Sequence, residues 1–555
     1  MGIHEDAEAA RRKIYDDAFA EETRRADEAE VVADTRQAEI SRLTAERNAL
    51  TASLASQGVE LSTARTKIAE LEERIAELKA NPVPAAEPSA GLPFFADPGE
   101  LTTSERKWLD HYFPLFPPSI ENGNPATDYY ARNWLTRDGE GGIHASTGGR
   151  LRDRPLTNAP YAGDWRRAAA AEEIRSAQKY LRDGFFVNLM STATSHSNFY
   201  NALRDGANAN FPGFLVVPMI DTNGSIANVS NPTAMPTTTL VNTVASFLRT
   251  RNTWDLPDGS VVVGSYKANG RTGAWWADLA GKLKTATGKT VTFIHVYNNS
   301  PSVSDIQSRP AYASGAWSVG TDPAVIKASG SASTYKAAGR FLFGVQPQNI
   351  RPGTGYGPWF DEANNTEALR AGLAKAISDG ADVVQGVTWN DLTEGGHFVP
   401  SVMRGTAALE ISAAGIYEWK TGQKPEILRD HLIVSYRNQL LNASINPDQQ
   451  ILMNQNTSRG NRSPVREKVE ILTYLTKPDT VTVTVGGIVT TYDAPAGEFQ
   501  KLVDVRPGKV TVRTGRGESV DSPIQIRSVS GNQDRQYVML SNIGPTDKQY
   551  DPTPT

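Results

Sequence analysis

Eight short apolar, β-branched runs are spread over residues 101–425, each followed by a helical stretch or a long loop, and this alternation restricts the fold more than any other feature. The runs are 108–113, 184–190, 214–220, 260–264, 291–296, 314–317, 341–345 and 382–387. Helical patterning between them is clearest at 165–181, 240–251, 274–285, 366–378 and 405–419. Parallel strands need long crossovers and are covered on both faces, so they read as continuous apolar runs. Eight of them predict a closed (β/α)8 TIM-type barrel. An open doubly wound sheet is the alternative, but it usually carries a glycine-rich phosphate loop after an early strand, and none is present.

The flanks of this region follow other periods. From Ile40, heptad a positions are Ile40, Arg47, Leu54, Leu61, Ile68 and Ile75, and d positions are Leu43, Leu50, Gln57, Ala64, Leu71 and Leu78. Such a narrow apolar seam with charged flanks predicts an α-helical coiled coil and a homo-oligomer, trimer or dimer, through 40–78. A lone amphipathic helix is the alternative. Residues 1–39 are helix-prone and rich in Ala, Glu and Arg, so 1–80 reads as an oligomerisation and attachment segment. Five prolines in 81–100 make a stiff linker. Beyond the barrel, 430–545 alternates apolar and polar residues at 480–485, 501–505, 509–514 and 536–541, which predicts an antiparallel β-sandwich. Residues 546–555 form a tail. All ten tryptophans precede the sandwich region, so a structural role suits it better than a sugar-stacking platform.

Charge and composition narrow the chemistry. The net charge of -5 offers no basic surplus for phosphates, which argues against a nucleic-acid partner. With no cysteine there are no disulfides or thiolate metal sites. The charged N-terminus has no apolar signal segment, and no stretch approaches the ~18 apolar residues of a membrane span. The seven histidines lack HExxH spacing and no GxSxG elbow occurs, so no cofactor or metal is expected.

Barrel chemistry sits at the C-terminal ends of the strands. Those positions offer His111 and Tyr112, with Asp128, Tyr129 and Arg132 in the following loop; then Asp221, Tyr266, Lys267, Tyr297, Asn298, Trp317 and Gln346. Trp359 follows in the next loop, and the densest cluster is TWNDLTEGGH, with Trp389, Asn390, Asp391, Glu394 and His397. Aromatic rings stack on the C–H faces of sugars, while carboxylates, amides and Arg bind hydroxyls. Glycosidic cleavage takes two carboxyls, one protonated and one ionised. Asp391 and Glu394, three apart in a loop, can leave room for a water, as inversion requires. Blander readings stand beside these: Asp221 as a helix cap, Asn390-Asp391 as a turn, Glu394 as a solvated charge, Trp317 and Trp359 as core.

The block TWNDLTEGGHFVPS resembles the WND(Y/F)xE(S/T) signature of glycoside hydrolase family 71, the α-1,3-glucanases or mutanases. HYFPLFPPSIENGNPATDYYARNWL, LRDRPL, FLVVPMIDTNG and GRFLFGVQPQNIRP are similar to further blocks of that family, in order over about 101–420. The resemblance implies a β/α barrel and inverting hydrolysis of an α-glucan, with Glu394 as general acid and Asp391 as base, or the two exchanged. Leu392 and Gly395 depart from the signature, as does Asn188, where relatives often carry Asp.

A polysaccharide-directed barrel behind a coiled coil and a charged N-terminus suits a bacteriophage minor tail protein. Such a protein would sit in the virion, act at the host cell surface, and attach to other tail proteins through its N-terminus. An extracellular or cell-surface protein exported by a non-classical route is the alternative location. A non-catalytic glycan receptor-binding protein and a structural spacer are the rival functions.

Overall fold

The computed structural model describes residues 104–551, apart from 117–121, 229, 232–233, 310, 354–357, 459 and 461, together with 40–49 and single residues at 51, 69, 72, 92, 94 and 101. Residues 40–49 are helical. Almost all of the rest of the heptad stretch, the attachment segment and most of the linker lie outside the described residues. The chain divides into two compact units, Met1–Gly91 and Leu92–Thr555, so the barrel and the sheets that follow it belong to one body. No described helix is long and apolar enough to cross a membrane.

Strands β1 (Lys107–Tyr112), β2 (Gly184–Leu189), β3 (Leu215–Asp221), β4 (Ser260–Tyr266), β5 (Thr290–Tyr297), β6 (Ala313–Ala316) and β7 (Arg340–Val345) run parallel in chain order. A hairpin of β8 (Ile350–Arg351) and β9 (Trp359–Phe360) then intervenes, and β10 (Val383–Gly386) closes the barrel between β7 and β1. All eight predicted runs are barrel strands. Side chains alternate along them. Leu109, Phe186, Val217, Met219, Val262, Ile294, Val296, Leu342 and Val383 fill the interior. The intervening residues, such as Trp108, Tyr112, Phe185 and Val187, pack outward in the core shared with the helices.

The helices are α1 (Trp165–Lys179), α2 (Thr194–Asn210), α3 (Thr238–Leu248), α4 (Gly273–Thr287), α5 (Val303–Gln307), α6 (Pro323–Ala328), α7 (Ala332–Ala338), α8 (Glu367–Ser378) and α9 (Ala407–Thr421). Their starts follow capping chemistry: Thr237, Thr272, Ser302 and Asp322 each accept a first-turn N–H. Gly288 and Gly422, both at φ 75°, end α4 and α9 in the left-handed conformation.

The C-terminal region is a sandwich of two four-stranded antiparallel sheets. One sheet holds β11 (His431–Arg437), β14 (Lys468–Leu475), β17 (Gly497–Asp504) and β21 (Tyr537–Ser541). The other holds β15 (Asp479–Val485), β16 (Ile488–Ala494), β18 (Val510–Thr514) and β19 (Ser519–Asp521). Leu432, Val434, Ile471 and Leu540 of the first meet Val481, Val483, Val510 and Val512 of the second. The opposite face of the first sheet, with Ile433, Leu472 and Met539, joins the barrel's outer core. Buried on both faces, β11 and β14 lose the alternation that marks the outer strands. Three short strands remain: β12 (Gln439–Ser444) pairs with β20 (Arg527–Val529), and β13 (Asn454–Gln455) adds to the β8–β9 hairpin.

Candidate active site

At the C-terminal mouth the inward positions change from aliphatic to polar and aromatic. His111, Asn188, Asp221 and Tyr266 end β1 to β4, and Asn298, Trp317 and Gln346 follow β5 to β7. Asn188 Nδ2 lies 3.0 Å from His111 Nε2 and 3.3 Å from Asp221 Oδ2. Burial holds the His111 pKa down, to about 3, so the ring is neutral. The Asn188 donor then assigns its proton to Nδ1, which faces Met219 Sδ at 3.0 Å. Burial also pushes the Asp221 carboxyl up, opposed by the Asn223 N–H and Asn188. The Trp317 ring stands edge-on to His111 and Tyr266, 4.7 Å from each. The Tyr266 hydroxyl accepts a hydrogen bond from Asn298 at 2.6 Å.

The loop after β10 folds over this layer. Trp389 N–H donates to His111 O at 2.7 Å, and Thr388 N–H to Gly396 O at 2.9 Å, closing the loop on itself. Gly395 lies at φ 61°, where a side chain would be strained. A Cβ on Gly396 would approach the Gln346 amide to 2.6 Å. The path of this loop suits glycine at both positions.

Within the loop, Asp391 and Glu394 sit in different surroundings. Asp391 Oδ1 accepts from Thr393 N (3.0 Å), Thr393 Oγ1 (2.6 Å) and Glu394 N (3.2 Å). Its Oδ2 accepts no hydrogen bond among the described residues. Glu394 Oε2 accepts from Arg351 Nη2 at 2.6 Å, with 22% of the Glu394 side chain exposed. Burial, then repulsion from Asp391, pushes the Glu394 pKa up to about 8, against the pull of Arg351 and Arg150. Burial likewise raises Tyr266, to about 12, with Asp221, Glu394 and Arg351 all acting on its hydroxyl. Carboxyls, guanidinium and phenol therefore flank one space.

Of the residues predicted from sequence, His111, Asp221, Tyr266, Trp317 and Gln346 share the barrel mouth with Asp391 and Glu394. Lys267 is at its margin, its Nζ donating to Asn223 Oδ1 at 2.8 Å. Trp359 lies under the Arg351 guanidinium, 5.1 Å from it. The others make contacts elsewhere in the fold. Tyr112 points outward, since strand alternation sends it opposite to His111, and packs 5.2 Å from Phe185. Trp389, fully buried, packs 5.0 Å from the same ring. Asn390 clasps the backbone of Phe113 and Phe116. His397 is buried between Asp153 and Arg404. Asp128 is paired with Arg154, and Tyr129 packs tilted on Trp134 at 5.1 Å. Arg132 is exposed and donates to Thr127 O at 2.6 Å. Tyr297 also faces outward, toward Tyr335.

Two members of the site escaped the sequence reading as site residues, Arg351 and Asn188. Arg351 comes from a two-residue strand whose only sequence mark is the Pro-Gly turn after it. Asn188 stood out only as a departure from the signature. Among the described residues no group of three His, Asp or Glu is arranged to hold a metal ion.

No curated protein sequence matches the chain. Among solved structures it resembles a family 99 endo-α-mannosidase from Bacteroides thetaiotaomicron, at 16% identity over 57% of this chain and 98% of that one, TM-score 0.41. A β-glucuronidase of Bacteroides uniformis is similar at 11% identity over 67% of this chain and 44% of that one, TM-score 0.34. These likenesses are too remote to bear on substrate. Residues 161–539 match glycosyl hydrolase family 71. The match starts after β1 and runs through the sandwich to β21, so it takes in the C-terminal sheets that the resemblance read from sequence, over about 101–420, left out. It spans more than half of the chain, which therefore belongs to glycosyl hydrolase family 71 and is a glycosidase.

Proposed function

We propose that the protein hydrolyses an α-glucan or another cell-envelope polysaccharide with inversion, using Glu394 as general acid and Asp391 as general base. The observation that carries this reading is the asymmetry of the pair. Desolvation and the neighbouring Asp391 push the Glu394 carboxyl up, to about 8, toward the protonated form that an acid needs. The Oδ1 of Asp391 is engaged by three donors, so Oδ2 is the oxygen able to take a proton from water. In the reaction Glu394 gives its proton to the glycosidic oxygen as the bond to the anomeric carbon breaks. Water attacks the opposite face of that carbon and loses a proton to Asp391. Trp317 and Tyr266 supply ring surface for a sugar, and Asn298 and Gln346 supply amides.

The test is reducing-sugar release from α-1,3-glucan, α-1,4-glucan and envelope glycan by the intact protein and by Glu394→Gln, with the anomer of the first product read by NMR. Release that vanishes in the variant, with a β-anomer first, supports the reading. Retained α configuration would replace inversion by a double displacement. Envelope binding without release by either protein would favour a receptor-binding role.

The carrier is a proposal of its own. The heptads of 40–78 support an oligomer, and we propose that it serves a phage tail protein, where several sites on one stalk gain avidity. Sedimentation of the intact chain as a monomer would remove the oligomer, and purified virions lacking the protein would remove the tail.

A further inference from the structure

We propose that Arg351 is a positioning residue for Glu394, and that the C-terminal sheets complete the active site by holding the hairpin that carries it. The inference rests on the reading of Glu394 as the general acid.

The β8–β9 hairpin has two residues per strand, far too little to be stable alone. Its order comes from the C-terminal region. β13 pairs with β9, Asn454 beside Trp359 and Gln455 beside Phe360. Asn456 N–H donates to Phe360 O at 2.8 Å, and Asn456 Nδ2 to Asp361 Oδ1 at 2.9 Å. Ile350, Phe360 and Met453 form an apolar cluster of their own. Met453 N–H is fixed in turn by Gln533 at 2.6 Å. Just past the hairpin, Glu362 is paired with Arg437 of β11 at 2.7 Å and accepts from the Tyr537 hydroxyl of β21 at 2.7 Å.

The other edge of the hairpin lies against the catalytic loop. Ile350 N–H donates to Glu394 O at 2.7 Å. The Arg351 guanidinium is held on three sides: by Glu394 Oε2, by Asn349 Oδ1 at 3.2 Å, and by the Trp359 ring beneath it. A planar fork fixed in this way sets the position of the carboxyl it grips, not only its charge. The charged and titratable groups acting on Glu394 are Asp391, Arg351 and Arg150, and Tyr266 stands across the same space. Arg351 and Arg150 oppose the repulsion from Asp391. Removing Arg351 takes away the cation that Glu394 touches, so its proton is held more tightly and its orientation is released. The match of the family through the sandwich to 539 agrees with sheets that belong to the catalytic unit.

The test uses the full chain and the variants Arg351→Gln, Arg351→Lys, Asn456→Ala and Glu394→Gln. Two readouts are followed against pH: kcat and KM on α-1,3-glucan, and the infrared C=O band of protonated Glu394, identified by its loss in Glu394→Gln. In Arg351→Gln we expect kcat to fall by about 10- to 100-fold with KM little changed, and the band to persist about one pH unit higher. Arg351→Lys should restore the titration but not kcat. Asn456→Ala should move both readouts in the direction of Arg351→Gln, by less. A Glu394 band that titrates identically in Arg351→Gln overturns the inference, whatever the turnover. A fully active Glu394→Gln instead overturns the assignment of the acid, while the infrared arm still reads the contact.

Discussion

A single amide, that of Asn188, bridges the ring of His111 and the carboxyl of Asp221, at 3.0 and 3.3 Å. All three side chains are buried in the barrel interior. Asn188→Leu would leave His111 Nε2 and Asp221 Oδ2 without that donor. Each buried polar group left unpaired costs about 1–3 kcal/mol, so a loss of roughly 2–6 kcal/mol is expected in urea unfolding. A midpoint equal to wild type would mean that water replaces the amide.

The pH profile follows from Glu394. On the proposed assignment Glu394 is the general acid and must be protonated, and burial together with Asp391 raises this carboxyl to about 8. Activity should therefore persist through neutral pH and fall as pH rises past about 8. Measurement of kcat/KM between pH 5 and 10 reads this limb in the free enzyme. A limb near the ordinary carboxylate range would assign the acid to another group.

The barrel was legible because buried parallel strands leave long apolar runs, and each of the eight is a strand. α2 was not, because its sequence is polar and contains Gly206; it is held by Tyr200, Leu203 and Ala207 on one buried face, a pattern too sparse to read without its neighbours. β11 and β14 were hidden for the opposite reason, being covered on both faces. The strand-end rule picked out His111, Asp221, Tyr266 and Trp317, which lie together at the barrel mouth. It overreached at Tyr112 and Trp389, which a one-residue step turns outward. Arg351 was out of reach, because its place depends on pairing between segments almost a hundred residues apart.

A second carboxyl should govern stability rather than rate. Glu173 on α1 is buried beside the Tyr112 hydroxyl and the Trp389 indole, with neither carboxyl oxygen hydrogen-bonded among the described residues. Burial raises it from 4.5 to about 8. Between those values the folded chain keeps a proton that the unfolded chain releases, so stability falls as pH rises through the window. Glu173→Gln should flatten this dependence. Its stability relative to wild type should grow by roughly a few kcal/mol between pH 5 and 8. Denaturant titrations at the two pH values check this, and parallel pH profiles for both proteins would refute a buried neutral Glu173.

Trp317 offers the clearest separation of binding from chemistry. Its ring stands edge-on to His111 and Tyr266, yet keeps part of its surface open, unlike the buried Trp389. If, as proposed, this face stacks on a sugar ring, it stabilises ground and transition states equally, so its loss raises KM and leaves kcat. For a contact worth about 1–1.5 kcal/mol, Trp317→Ala should raise KM roughly ten-fold. Trp317→Phe should recover most of the difference, since the smaller ring still presents a face. The comparison is made on soluble α-glucan oligosaccharides, where KM is not obscured by an insoluble substrate. A fall in kcat at constant KM would instead mean that Trp317 acts through His111 on the reacting groups.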